Sequence, residues 1–445
     1  MKDKRESQKK YPVAAATHLC QSVPTPQNLC LKKYHLQKSL QTPISTNIPK
    51  NYFNLISTLF RLAYFLPLPT KIYQNPNIQL NICAKSVQSA LSARTTQTKS
   101  IKSLLIPINP KYTMKAVVLN RSVTNQLEIK EVEKPKVGVG EVLVQVKAGA
   151  LNHRDEWCRQ GLYPNLKDGV ILGSDGAGVV VALGEGVDAS WLEKEVIINP
   201  SLNWGSDERV QVKEYKILGM PDNGTLAEYI GIKADRLQAK PAHMSWEEAA
   251  ALPLGGLTAY RALMLQGRLQ KGEKVLVTGF GGGVAQFAVQ FALAAGAEVY
   301  VSSSSEEKRQ KALALGVKAA FDYTNETWVK EAVGLCGGFD LIIDSAVGDT
   351  FNNLIKVANP GARIVFYGAT KGNPTGFDAR KVFWNQLQII GSTMGSDQDF
   401  EAMLLFVNQQ QIKPVIDQVF SLDEAVQAFD RMKAGSQMGK IVLKG

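Results

Sequence analysis

The run Val275-Leu-Val-Thr-Gly279-Phe-Gly281-Gly282-Gly283-Val284-Ala285-Gln-Phe decides the fold. A short apolar stretch ends in a glycine cluster. Apolar residues at helical spacing (Phe287, Ala288, Phe291, Leu293) follow at once and stop near Gly296, a C-terminal cap candidate. A strand, a tight turn and a helix are expected in that order. Glycine permits the turn, lets the backbone approach a pyrophosphate, and packs helix on strand. The helix start offers unpaired N–H groups and a positive dipole end to phosphate. Gly279, Gly281, Gly282, Gly283 and Val284 are the candidate dinucleotide-binding residues here. A tight turn with no ligand is the other reading of the same glycines.

The next expected strand, Glu298–Ser302, bears on the cofactor. An NAD site wants Asp or Glu near its end, for the ribose 2′-hydroxyl. This chain has Ser302-Ser303-Ser304-Ser305, then Glu306-Glu307-Lys308-Arg309. Small hydroxyls at Ser303 and Ser304 leave room for a 2′-phosphate, and Lys308 or Arg309 supplies a charge to pair with it. The expectation is NADP(H) over NAD(H). Ser305 followed by two acids also reads as a helix cap. Glu306 and Glu307 weigh against the NADP reading.

Outward from this turn the chain alternates strands and helices. Strands are expected at Lys274–Thr278, Glu298–Ser302, Ala319–Tyr323, Leu341–Asp344, Arg363–Tyr367 and Leu387–Gly391. That alternation predicts an α/β fold with a doubly wound parallel sheet over residues 242–394. Upstream, Ser245-Trp-Glu-Glu248 is a capping-box pattern. Residues 114–241 read as short strands, Glu141-Val-Leu-Val-Gln-Val-Lys alternating with period 2. The tail, 395–445, is expected to return to that β-rich part, with a helix near Asp399–Gln409, a strand near Val415–Phe420, a helix near Leu422–Lys433 and a strand Lys440–Leu443.

The 445 residues carry a net charge of +11, unevenly spread. Residues 1–113 hold 16 Lys and Arg against Asp3 and Glu6, whereas 114–445 hold 35 against 38 acids. The high pI therefore gives no support to nucleic-acid binding by the body. Residues 1–113 have no sustained period and are expected to form a basic, disordered extension, with one interrupted apolar patch at Tyr52–Pro69. A processed leader, an untranslated stretch upstream of Met114, and a functional module all remain open readings. Cys158 and Cys336 are the body's only cysteines, which suits a reducing, cytoplasmic setting, or an organelle if the leader is a transit peptide. No apolar run is long enough for a stable membrane span.

Taken together, Ala150-Leu-Asn152-His-Arg-Asp155, Gly173-Ser-Asp175-Gly-Ala-Gly178, Leu252-Pro-Leu-Gly-Gly-Leu-Thr258, the glycine turn and the ending Gly439-Lys-Ile-Val-Leu resemble the medium-chain dehydrogenase/reductase superfamily. The resemblance covers residues 114–445 and is strongest to the zinc-independent, quinone-oxidoreductase-like members. It implies a GroES-like, mostly β catalytic domain beside the Rossmann domain. In zinc-dependent members Cys, His and Cys bind a catalytic zinc; the matching positions here are Asn152, Ser174 and, nearby, Leu254, with Asp175 at the acidic neighbour. None of the three is a good zinc ligand, and residues 199–222, where the structural zinc lobe falls, contain no cysteine, so no metal is expected.

The resemblance further implies that Asn152 and Tyr163 face the substrate, with Asp155 completing the catalytic set. Thr258 would touch the nicotinamide carboxamide, Lys308 the 2′-phosphate, Tyr323 the adenosine side, and Gly368 would let the backbone approach the nicotinamide ribose. Asn152 and Asp155 as a turn cap, and Tyr163 as a packed core aromatic, stay open beside those roles. Without a metal, carbonyl polarisation would fall to the Asn152 amide or the Tyr163 hydroxyl. The expected activity is NADPH-dependent reduction of a quinone, enone or reactive aldehyde. An NADP-dependent alcohol or aldehyde dehydrogenase, and a dinucleotide-binding protein with little turnover, are the alternatives. The partner is a small electron-poor molecule, and family analogy adds a homodimer joined through the Leu387–Gly391 edge.

Overall fold

In the computed structural model, which describes residues 112–445, the strand before the glycine turn, Lys274–Val277, lies inside a six-stranded sheet. The expected extension and its Tyr52–Pro69 patch lie outside the described residues. Across the sheet the order is Ala319–Phe321, Glu298–Ser302, Lys274–Val277, Phe339–Asp344, Ala358–Phe366 and Gln388–Gly391, every pair parallel. Side chains alternate across it. Val275 and Val277 pack with Phe287 and Phe291 on one face, and Leu276 with Tyr300, Phe339 and Ile342 on the other. The order reverses direction between Lys274–Val277 and Phe339–Asp344. Ligands of such sheets bind in the crevice at that switch point, outside the carboxyl ends of the strands.

The second sheet is mostly antiparallel and has seven strands. Glu141–Ala150 pairs with Asp175–Leu183 along most of its length, with Tyr229–Lys233 at its start and with Lys440–Lys444 at its end. The chain's last strand thus closes against Gly149 and Ala150, immediately before Asn152. The return to this sheet is made by Ile416–Ser421 and Lys440–Lys444. The stretch expected to begin it at 395 behaves otherwise. Helix Asp397–Gln410 packs on helix Pro253–Tyr260 and buries Phe400, Met403 and Val407 in the cluster that holds Phe287 and Phe291. Its apolar spacing fits that groove, and Asp399 is bound to Arg261 within it.

Local signals correspond to element ends. Ser245 and Glu248 form the capping box of helix Trp246–Ala251. Helix Gly283–Ala294 ends before Gly296, whose φ of +82° is the left-handed conformation that glycine adopts freely.

Candidate active site

A cleft of about 660 Å³ opens at the switch point, between the glycine turn and the second sheet. Gly279 and Gly281 have φ of +63° and +137°, and the second value excludes a side chain on steric grounds. Gly282 precedes helix Gly283–Ala294 without a side chain to cap it, so the first-turn N–H groups have no side-chain acceptor. Gly283, Val284 and Ala285 line the cleft there. Two lysines lie against the bare turn. A Cβ on Gly281 would stand 2.7 Å from Lys308 Cδ, and one on Gly283 2.7 Å from Lys440 Cδ. An uncapped helix start with cations beside it is a fitting cradle for a pyrophosphate.

Ser303 and Ser304 stand on the cleft wall with Lys308 and Tyr323. The Tyr323 hydroxyl donates to Ser304 Oγ at 3.2 Å. Ser305 both caps the next helix, accepting from Lys308 N, and lines the cleft. Glu306 and Glu307, the two residues that weighed against a phosphate, do not line it. Both are exposed, Glu306 bound to Gln310 and Arg309, Glu307 to Lys311, and these bonds hold both carboxyls below their ordinary range. Arg309 is turned back onto Ser303 O, Glu306 and Asp322, leaving Lys308 as the cation of that pair facing the cleft. Lys308 donates to Gly435 O at 3.2 Å, and burial holds its ammonium below the ordinary lysine value.

Deeper in, the Thr258 hydroxyl donates to Leu254 O at 2.8 Å, so its lone pairs remain to accept from an amide. A Cβ on Gly368 would come within 3.2 Å of Ser345 O, and the bare backbone instead forms part of the wall.

The opposite wall departs from expectation at one residue. Asp155 is fully buried and is absent from the cleft wall. Its Oδ2 accepts from Asn152 N at 2.8 Å, the turn-cap role left open above. Burial pushes its carboxyl up to about 6, against the opposing charge of Arg154. Asn152 does line the cleft, but both ends of its amide are engaged. Nδ2 donates to Asp175 Oδ2 at 3.0 Å, and Oδ1 accepts from Lys440 Nζ at 2.6 Å. One of its two amide N–H donors is thus spent on Asp175, and the other has no acceptor among the described residues. The Tyr163 hydroxyl donates to no protein group among the described residues: its oxygen accepts a long 3.4 Å bond from Arg154 Nε, and the guanidinium lies 4.8 Å from the ring centroid.

Lys440 and Arg154 complete this wall, with Asp175 fully buried behind it, and none of the three is among the site residues expected from the sequence. Lys440 Nζ also donates to Asp175 Oδ2 at 2.9 Å, and Asp175 Oδ1 accepts from Leu254 N at 2.7 Å. Arg154 donates to Ser174 Oγ at 2.6 Å and Leu218 O at 2.7 Å. The available signal was a lysine opening an apolar terminal strand: Lys440 is only 3% exposed. His153, beside them, is held below its ordinary value by surrounding protein and by the Lys440 charge. Among the described residues no group of three or more His, Cys, Asp or Glu is placed to hold a metal. The cleft wall carries Arg154, Lys308, Lys371 and Lys440 against one carboxylate, Asp344, a balance suited to a polyanionic ligand.

Comparison with known proteins agrees with this architecture. Residues 138–242 match the alcohol dehydrogenase GroES-like domain, and 283–409 the zinc-binding dehydrogenase family. The zinc-type alcohol dehydrogenase-like protein YogA of Leptosphaeria maculans is 36% identical over 338 residues, 72% of this chain and 94% of that one. The acryloyl-coenzyme A reductase of Sulfurisphaera tokodaii is 32% identical over 326 residues, 71% of this chain and 96% of that one. A crystal structure of an NAD-dependent alcohol dehydrogenase superposes with a TM-score of 0.71 at 38% identity, covering 75% of this chain and all of that one. With a GroES-like sheet, a Rossmann sheet and a cleft between them, the chain belongs to the medium-chain dehydrogenase/reductase superfamily of oxidoreductases, in its alcohol dehydrogenase-like branch.

Proposed function

We propose that this chain is an NADPH-dependent, zinc-independent reductase that transfers hydride to a quinone, a conjugated enone or a reactive aldehyde. The observation that carries this reading is the buried Lys440 ammonium, bonded to both Asn152 and Asp175. At the family's zinc-ligand positions Asn152, Ser174 and Leu254 offer an amide, a hydroxyl and an apolar side chain. The acidic neighbour Asp175 is already neutralised by a lysine. A divalent ion there would face a positive charge and lack thiolate or imidazole ligands.

When bound, the nicotinamide supplies the hydride. The N–H groups at Gly283–Ala285 hold the pyrophosphate, and Thr258 orients the carboxamide through its free lone pairs. Tyr163 donates its hydroxyl proton toward the substrate oxygen, where negative charge develops, and Arg154 holds the phenol from behind. A single hydroxyl polarises less than a metal, so acceptors that are already electron-poor are favoured. Crotonyl and acryloyl groups, named in the crotonyl-CoA and acryloyl-CoA reductases among the relatives, are such conjugated acceptors. NADPH is favoured by Ser303, Ser304 and Lys308 on the wall, and by the outward turn of Glu306 and Glu307. The expected homodimer belongs to the same reading: among the described residues the Gln388–Gly391 edge has a single partner strand, and Phe383 and Trp384 beside it are exposed.

The test is NADPH oxidation, followed by absorbance, across a panel of quinones, enones, aldehydes and alcohols. Turnover of the first three classes, and a fall of about a hundredfold in Tyr163→Phe, is expected. Turnover confined to alcohols would favour the dehydrogenase alternative, and no turnover with any acceptor would favour a binding protein.

A further inference from the structure

Lys371 stands on the same cleft wall as Ser304 and Tyr323 but comes from a different part of the sheet, after strand Ala358–Phe366. Its Nζ lies 5.2 Å from the Tyr323 ring centroid. Among the described residues the ammonium has neither a hydrogen-bond acceptor nor an ion-pair partner, so its three donors are unspent. The Tyr323 hydroxyl meets Ser304 Oγ, and Ser304 belongs to the run that leads to Lys308. Two hydroxyls and two lysines therefore share the wall, and its single carboxylate, Asp344, is engaged with Thr278 and the N–H groups of Ala346 and Val347.

The position of Lys371 is built. Its backbone N–H donates to Ala346 O at 2.9 Å, and Thr370 N–H to Ser345 O at 3.1 Å. Gly348 N–H donates to Gly372 O at 2.9 Å. A Cβ on Gly348 would fall 2.7 Å from Lys371 Cβ, so the glycine makes the approach possible. Val347, next to it, has φ of +54°, a costly conformation for a β-branched residue that persists only where surrounding contacts enforce it. A strained loop thus holds an unpaired ammonium over the Tyr323 ring, whose hydroxyl in turn meets Ser304 after the second strand.

We propose that Lys371 is a ligand of the cofactor's 2′-phosphate and acts with Lys308, Ser304 and the Tyr323 hydroxyl as a determinant of NADPH preference. The inference rests on the NADPH reading above. Lys308 approaches from the first turn of helix Glu306–Ala314 and Lys371 from the loop beyond the fifth strand of the sheet, so the phosphate is held from two sides. Paired cations of this kind form charge-assisted bonds, the stronger class of hydrogen bond.

The test titrates the full chain and its Lys371→Ala and Lys371→Arg variants with NADPH, NADH and 2′,5′-ADP, reading tryptophan fluorescence or heat. Lys371→Ala should weaken NADPH and 2′,5′-ADP about tenfold and NADH less than about twofold, with Lys371→Arg close to wild type. Equal loss for NADPH and NADH would make Lys371 a contact of the shared part of the cofactor and overturn the assignment. An unchanged NADPH affinity would overturn it too. A wild-type chain that binds NADH as tightly as NADPH would remove the cofactor reading and this assignment together. A wild type that prefers NADPH, with an indifferent Lys371→Ala, removes Lys371 alone.

Discussion

The wall of the cleft proposed to hold the nucleotide is mainly backbone: four glycines between residues 279 and 283, a bare helix start and a run of small serines. The facing wall is a side-chain network, in which Asn152, Asp175 and Lys440 meet although Asn152 and Lys440 are 288 residues apart in sequence. The first wall is specified locally, since each glycine conformation is set by its own position. The second exists only after the terminal strand Lys440–Lys444 has closed on Gly149 and Ala150. Damage to the first should therefore show chiefly in cofactor binding, and damage to the second chiefly in stability.

The sharpest way to break that contrast is Lys440→Met. It leaves the Asp175 carboxylate, 0% exposed, without its cation. Breaking one side of a buried pair costs about 3–5 kcal/mol, so urea unfolding should report a loss of that order. Lys440→Met combined with Asp175→Asn should recover more than half of it, because the stranded charge is gone. A loss below about 1 kcal/mol in the single variant would mean the network is not what closes the sheet.

Gly281→Ala sharpens the other side. A φ of +137° is closed to alanine, and the added Cβ meets the flexible Lys308 side chain, so the strain lies in the backbone. We expect a stability loss of about 1–2 kcal/mol and at least a tenfold rise in the cofactor Kd. Gly272→Ala, at φ of +83° with open space around it, should cost stability alone. Equal effects of the two on cofactor binding would break the distinction.

Asp155 provides a pH signature. Its carboxyl is raised to about 6 in the folded chain, so between its unfolded value near 4 and that point the folded state holds more protons. Stability from this group is therefore greatest at low pH and falls as pH rises through 4 to 6, by about 1–3 kcal/mol. Asp155→Asn keeps an acceptor for Asn152 N–H and removes the titration. Thermal unfolding followed from pH 4 to 7 should show this fall in the wild type and a flatter curve in the variant. Parallel curves would show that Asp155 titrates as it does when unfolded.

The same contrast explains what was legible in the sequence. Strand–glycine–helix and the strand alternation are local patterns, and the six parallel strands lie within a few residues of their expected spans. Gly279, Gly281, Gly282, Gly283, Val284, Ser303, Ser304, Lys308, Tyr323, Thr258, Gly368, Asn152 and Tyr163 meet in one cleft. Asp155 enters the expected catalytic set through the family resemblance, and in the structure its spacing from Asn152 serves the capping alternative. Lys440 and Lys371 were illegible for a different reason. A lone lysine carries no periodicity, and its meaning depends on which strand end or loop the topology brings beside it.

The most direct measurement is the zinc content of the purified, active chain, with turnover recorded before and after chelation. The account predicts less than about 0.1 zinc per chain and full NADPH-dependent turnover in chelator, since Lys440 already carries the cation's role beside Asp175. One tightly bound zinc per chain, with turnover lost on its removal and restored on its return, would contradict it.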